Sequence, residues 1–247
     1  MCKVKILLLV LTLFSLSACF DDKDEDVWIV GTSADNPPYE FIQNGEIVGF
    51  DIDFITEIGK KLEKRVEFKN MEFHTLLAAL STRNVDLVLA GLSVTEDRLQ
   101  KVDFSDPYTF AKIAILYRAE DNFNDSKDLK DKKIGVQLGT IWSLIAHDLA
   151  TSNGFSIISL SSNLMLTEEL KSKRIDAVVL EETQAKKFIE IYPSMSRFVE
   201  KNLSSSFAIA MSKGFLDKNN INHAIKDLRS NGTIQTLVKK WGLVGAN

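Results

Sequence analysis

Cysteine is almost missing from this chain: among 247 residues only Cys2 and Cys19 occur, both within the first nineteen positions. No disulfide can therefore staple the body of the fold, and no thiolate cluster can hold a metal there. Histidine is equally scarce. His74, His147 and His223 stand too far apart in sequence to form a local ligand motif, so no metal is expected. Positive charge is not in excess either, since 30 Lys and Arg face 34 Asp and Glu, for a net charge of -4 and a pI near 5.5. A nucleic-acid partner needs a basic stripe for its phosphates, so none is expected. Beyond the N-terminal segment no apolar run reaches the roughly 20 residues of a membrane-spanning helix, which predicts a soluble body. The patterns G-x-S-x-G, H-E-x-x-H and the Walker loop are absent as well, and no cofactor is expected.

What is present begins with an address. Met1, Cys2, Lys3 and Lys5 make a short basic start, and Ile6 through Leu16 an apolar run. This is the anatomy of a secretory signal. Leu16-Ser17-Ala18-Cys19 resembles a bacterial lipobox, with Cys19 as the lipidated first residue, so residues 1–19 read as a lipoprotein signal peptide. Asp21, Asp22, Asp24, Glu25 and Asp26 make 20–26 an acidic tether. The expected location is the periplasmic or cell-surface side, lipid-anchored to a membrane.

The remaining chain, about 228 residues (247 less the first 19), alternates strand and helix signals. Val27 to Gly31 reads as a buried strand, and Glu40 to Phe50, with Asn44-Gly45 inside it, as a hairpin. Ile52, Ile55, Ile58 and Leu62 share one helix face. Phe73, Leu76, Leu77 and Leu80 share another, and Val85 to Ala90 has the unbroken apolar run of a strand covered on both sides. The order then repeats: strand at Ile134 to Val136, helix from Thr140 to about Leu149, strand Phe155 to Ile158, helix Leu164 to Lys171, strand Ala177 to Leu180. Two α/β units with parallel-rich sheets are predicted. A local echo, Arg83 to Leu89 against Arg174 to Leu180, sets Asp86 and Asp176 before equivalent apolar runs, through either internal repetition or common turn usage. Tyr108 to Tyr117 and Phe207 to Met211 are extended segments suited to cross between units as a hinge. The expected lobes are 27–110 with 205–247, and 111–204.

Ligands of open α/β sheets bind beyond the carboxyl ends of the strands. After Ala90 comes Gly91-Leu92-Ser93-Val94-Thr95-Glu96-Asp97-Arg98, with a glycine for close approach, hydroxyls to cap a helix, and an arginine in its first turn. Backbone N–H groups, a helix dipole and a guanidinium fork all favour a carboxylate. Gly139-Thr140, with Ile141 beyond, offers a second such helix start. Glu181 is the first acid after the second apolar run, and an ammonium group removed from water needs such a partner. Together these point to a zwitterion. Phe73, Tyr39 and Trp142 are candidate aromatic walls, while Asp35 and Glu72 are candidate partners for a cationic ligand terminus.

Taken together, Gly31-Thr32 with Pro37 to Phe41, Val48 to Asp53, Ala90 to Arg98, and Phe104 to Tyr108 resemble the bacterial extracellular solute-binding proteins of family 3, which serve polar amino-acid ABC importers. The resemblance spans nearly the whole mature chain. It implies a periplasmic-binding-protein-like fold of type II, with two α/β lobes on a two-strand hinge closing on a free amino acid, a membrane permease as partner, and a monomer. It also implies that Arg98, Gly91 and Ser93 with Gly139, Thr140 and Ile141 hold the α-carboxylate, and that Glu181 takes the α-ammonium. The family often has Asp where Glu181 stands, and Tyr or Phe where Asn36 stands. Val179 to Glu181, Ile225 to Arg229 and Lys239 to Trp241 are most similar to arginine-binding members, so arginine leads. A cyclohexadienyl dehydratase on the same fold is the alternative, since Glu181 suits a general acid, but no second proton-transfer group is evident. A free-standing sensory module is a third possibility.

Overall fold

The computed structural model describes residues 26–243. The signal segment, Cys19 and all of the tether except Asp26 lie outside the described residues.

The apolar runs assemble into two five-stranded sheets. In the first, Val27–Thr32 lies between Arg65–Asn70 and Leu87–Val88, all parallel, and the antiparallel strand Ala210–Met211 then leads to Asp103–Phe104 at the edge. In the second, Ser156–Leu160, Lys133–Gln137 and Ala177–Glu181 run parallel, and Thr109–Arg118 and Met195–Phe207 complete it antiparallel. A small meander of Asp35–Asn36, Glu40–Gln43 and Glu46–Val48 sits beside the first sheet. Its tight turn uses Asn44 and Gly45, both at positive φ, as a two-residue hairpin requires.

Helices cover the sheets by their apolar faces. Phe50–Lys61 buries Phe50, Phe54, Ile55 and Ile58, and the C-terminal helices Lys218–Ser230 and Thr233–Trp241 pack against it with Ile221, Ile225, Ile234 and Leu237 inward. At about 25 cal/mol per Å² of apolar area removed from water, each such side chain contributes roughly 1.5–3 kcal/mol. These faces hold the first lobe together.

The local echo of Arg83 to Leu89 in Arg174 to Leu180 has a geometric basis in a shared turn. Asp86 accepts the Ile29 N–H at 2.9 Å and returns its own N–H to the Ile29 carbonyl at 2.7 Å. Asp176 does the same with Lys133, at 2.8 Å in both directions. Arg83 and Lys173, three residues earlier, both take a φ of 58°. One turn is built twice.

The chain leaves the first sheet after Phe104 and returns to it after Phe207, and the two passages run side by side. Tyr108 N–H donates to the Phe207 carbonyl at 3.0 Å, and Ser105 N–H to that of Ile209 at 2.9 Å. This is the two-lobed architecture with a double connection that the sequence predicts.

Three elements differ from expectation. Only Leu87–Val88 of the run Val85 to Ala90 is paired as strand, because Asp86 is engaged with Ile29 below it and Gly91 turns aside toward Asp51 above it. The helix expected from Phe73 begins as a 3-10 turn, Phe73–Thr75, before Leu76–Ser81. The strand Met195–Phe207 was not foreseen; it is an edge strand with a register shift between Val199 and Ser204, and its polar Ser204-Ser205-Ser206 hides the alternation of a buried strand.

Candidate functional site

The carboxyl ends of the strands from both lobes converge on one cleft with about 390 Å³ of empty space, part of it open to solvent. Ala90, Gly91, Ser93 and Arg98 line it from the first lobe, Thr140, Ile141, Trp142 and Glu181 from the second. The two charged groups singled out in the sequence thus share a cavity.

Arg98 lies in the first turn of the short helix Glu96–Lys101, whose N-cap Thr95 accepts the Arg98 N–H. Its guanidinium donates to the Ser93 carbonyl at 2.6 Å and, across the cleft, to the Gly139 carbonyl at 2.9 Å. It also rests over the Phe73 ring, 5.8 Å from the centroid. Among the described residues no carboxylate pairs with it, and burial lowers its pKa to about 10. Part of the N–H fork remains for an acceptor that brings a negative charge.

Glu181 ends the strand Ala177–Glu181 and caps the helix that follows, accepting the Gln184 N–H at 3.0 Å and the Thr183 hydroxyl at 3.1 Å. It is 2% exposed. Desolvation raises its pKa to about 8 despite those hydrogen bonds. A carboxyl so placed gains most from a cation that enters the cleft, because an opposite charge nearby favours the ionised form.

Thr140 caps the helix Ile141–Asn153 through the Ser143 N–H, and the preceding Gly139 occupies the seam between the lobes. Its φ is +81°, and an added Cβ would lie 3.0 Å from the Cβ of His74 on the opposite lobe. A side chain there would strain the backbone and prop the lobes apart. Asp35 bridges the same seam: its carboxylate accepts the Asn163 N–H at 2.7 Å and Gln137 Nε2 at 3.1 Å, while its carbonyl accepts Gln184 Nε2 at 3.3 Å. Burial raises its pKa, opposed mainly by the Asn163 bond. Phe73 and Trp142 face the cleft as aromatic walls, and Asn36 reaches it while donating to Glu40 at 2.9 Å.

Three expectations need correction. Tyr39 is not a wall of the cleft; it is wholly buried, edge-on to Phe50 and Phe207, because its ring fills the core where the hairpin meets the connecting strands. Glu72 does not reach the cleft; it is exposed and sits 3.6 Å from His74 on the outer surface of the 3-10 turn. Gly91 lines the cleft but its N–H is taken by Asp51 Oδ2 at 2.9 Å, so that donor is not offered to a carboxylate. Sequence reasoning missed Gln137, Asn163 and Gln184, all lining the cleft from the second lobe. Each lies at a strand end or in the first turn of a helix, a position the strand-end rule points to without choosing among polar residues.

Residues 28–244 match the model of the bacterial extracellular solute-binding proteins, family 3. The chain is 34% identical over 236 residues to the arginine-binding extracellular protein ArtP of Bacillus subtilis (strain 168), with 92% of each chain covered. It is 32% identical over 219 residues to a probable histidine-binding protein of Campylobacter jejuni, covering 87% of this chain and 84% of that one. Among solved structures it is similar to an ancestral arginine-binding protein bound to arginine, with 36% identity, a TM-score of 0.83, and coverage of 87% and 98%. These relatives are binding proteins, which weighs against the dehydratase alternative.

Proposed function

The chain belongs to the bacterial extracellular solute-binding proteins of family 3, and we propose that it captures a free amino acid, arginine above others, by closing its two lobes and hands it to an ABC importer. One observation carries this reading: partly buried Arg98 and fully buried Glu181 line the same cleft from opposite lobes, and among the described residues neither is paired with an opposite charge. A zwitterion supplies both missing partners at once. Arg98, with Ser93 and the helix start at Thr140, takes the α-carboxylate; Glu181 takes the α-ammonium.

A guanidinium at the far end of the ligand meets Phe73 and Trp142 as flat partners and Asp35 as an acid. The relatives named for arginine binding support this choice. The lobes are taken as 27–110 with 205–247, and 111–204. A lipid on Cys19 tethers the monomer to the membrane that holds the permease. Calorimetry with the twenty common amino acids tests the proposal, arginine being expected to bind most tightly and without turnover. Equal or absent binding across the panel would overturn it.

A further inference from the structure

At the first-lobe wall of the cleft, Glu40 on its lining and Asp51 behind it, lie two carboxyls with no counter-ion among the described residues. Glu40 opens the strand Glu40–Gln43 and Asp51 is the second residue of the helix Phe50–Lys61; both are 0% exposed. Among the described residues no lysine, arginine or histidine pairs with either, and the charged or titratable groups facing them are Asp35, Tyr39, Tyr108 and, beyond Tyr39, Glu181. Nothing there compensates two negative charges.

The hydrogen bonds divide the four oxygens unevenly. Asp51 Oδ2 accepts both the Gly91 N–H at 2.9 Å and the Tyr108 hydroxyl at 2.8 Å. Glu40 Oε1 accepts Asn36 Nδ2 at 2.9 Å. Glu40 Oε2 and Asp51 Oδ1 are buried without a hydrogen-bond partner, and the two side chains interact with each other. Two neighbouring buried carboxyls, each with an oxygen that no donor reaches, are satisfied by one proton held between them.

We propose that Glu40 and Asp51 share a single proton, with Glu40 the neutral donor, and that the pair acts as one positioning unit for the ligand-binding wall. It reaches that wall twice, through Gly91 and through Asn36, both of which line the cleft. Its third contact, Tyr108, precedes the connecting strand Thr109–Arg118 and donates its N–H to Phe207 of the returning one. The unit therefore ties the carboxylate loop, the side-chain pocket and the hinge to one buried proton. Desolvation, and next the charge of Asp51, hold Glu40 well above the usual carboxylate range, while desolvation raises Asp51 to about 6 against the hydrogen bonds of Gly91, Tyr108 and Glu40. Glu40 lines the cleft beside Asn36, while Asp51 acts from behind it.

The inference rests on the amino-acid-binding reading for its consequence but not for the proton itself, and two measurements separate them. Infrared difference spectra of the ligand-free protein against Glu40→Gln, at pH 7 and 9, are expected to show loss of one protonated-carboxyl C=O band. No such band lost means that Glu40 carries no proton, and the proposal fails whatever the ligand is. Calorimetry with L-arginine is expected to find Glu40→Gln, whose amide donates as the acid does, within about threefold of wild type, and Glu40→Ala and Asp51→Ala weakened at least tenfold. Glu40→Gln as weak as Glu40→Ala, or Glu40→Ala unchanged, removes the positioning role. The Gln variant keeps the shape of Glu40, so it carries the infrared test even where an alanine variant does not fold. A wild type that binds no arginine would instead defeat the function proposed above, leaving the infrared result standing.

Discussion

The two lobes repeat one turn, with Asp86 and Asp176 holding the neighbouring strand in the same way, and then diverge at the position that matters. The offset that carries Asp86 onto Asp176 carries Gly91 onto Glu181. In the first lobe the chain at that point turns back to a buried acid and runs on to Arg98; in the second it stops on an acid and caps a helix. Shared backbone geometry places both ends at the cleft, while residue choice gives one wall a cation and the other an anion. A repeated scaffold thus yields an asymmetric site, which is what a ligand with two unlike ends requires.

Breaking the cationic wall should have the largest effect. Arg98→Ala removes a partly buried charged contact, for which about 2–5 kcal/mol is typical, so arginine affinity should fall from roughly 30-fold to several-thousand-fold by calorimetry. Unchanged affinity would mean that the two walls do not divide the ligand's charges.

The anionic wall comes next. Glu181→Gln keeps the size and the cap but not the charge, and hydrogen bonds to charged groups are worth about 1.5–3 kcal/mol, so a loss of roughly tenfold to a hundredfold is expected. The same residue sets a pH dependence. Its folded pKa of about 8 lies above the ordinary 4.5, so between those values the folded protein holds a proton that the unfolded chain has released. Stability contributed by this group is complete below about pH 4.5 and falls by a few kcal/mol as pH rises to about 8. Thermal unfolding should show that decline in wild type and a flatter profile in Glu181→Gln.

Smaller effects sharpen the comparison by testing the seam instead of the walls. Asp35→Ala removes the acceptor for Asn163 and Gln137, and a loss of about 1–3 kcal/mol in closure should appear as weaker binding and a larger radius of gyration in ligand-saturated solution scattering. Glu72→Ala, on the surface, should change affinity by less than about twofold, within the ±0.5 kcal/mol usual for exposed positions. A large effect there would restore Glu72 to the site.

Much of this was legible because the signals were local. The parallel strands read as apolar runs, the helix starts as Thr95 and Thr140, and strand-end logic led to Arg98 and Glu181 before any coordinates. What stayed hidden depends on distance in three dimensions. Nothing in the spacing of Asp35, Gln137 and Asn163 says that they meet, since the bonds of Asp35 to the other two form only when the lobes come together. Tyr39 misled because a ring next to Pro37-Pro38 suits a binding wall and a core equally well, and burial decided between them. Glu40 and Asp51 sit in motif-like segments, but only their burial, away from every base among the described residues, makes them a pair.

A crystal structure with L-arginine bound tests the division of charges most directly. The α-carboxylate is expected within hydrogen-bonding distance of the Arg98 guanidinium, and the α-ammonium within that distance of Glu181 on the opposite lobe. Both ends of the ligand held by one lobe, or Arg98 still engaged only with the Ser93 and Gly139 carbonyls, would contradict it.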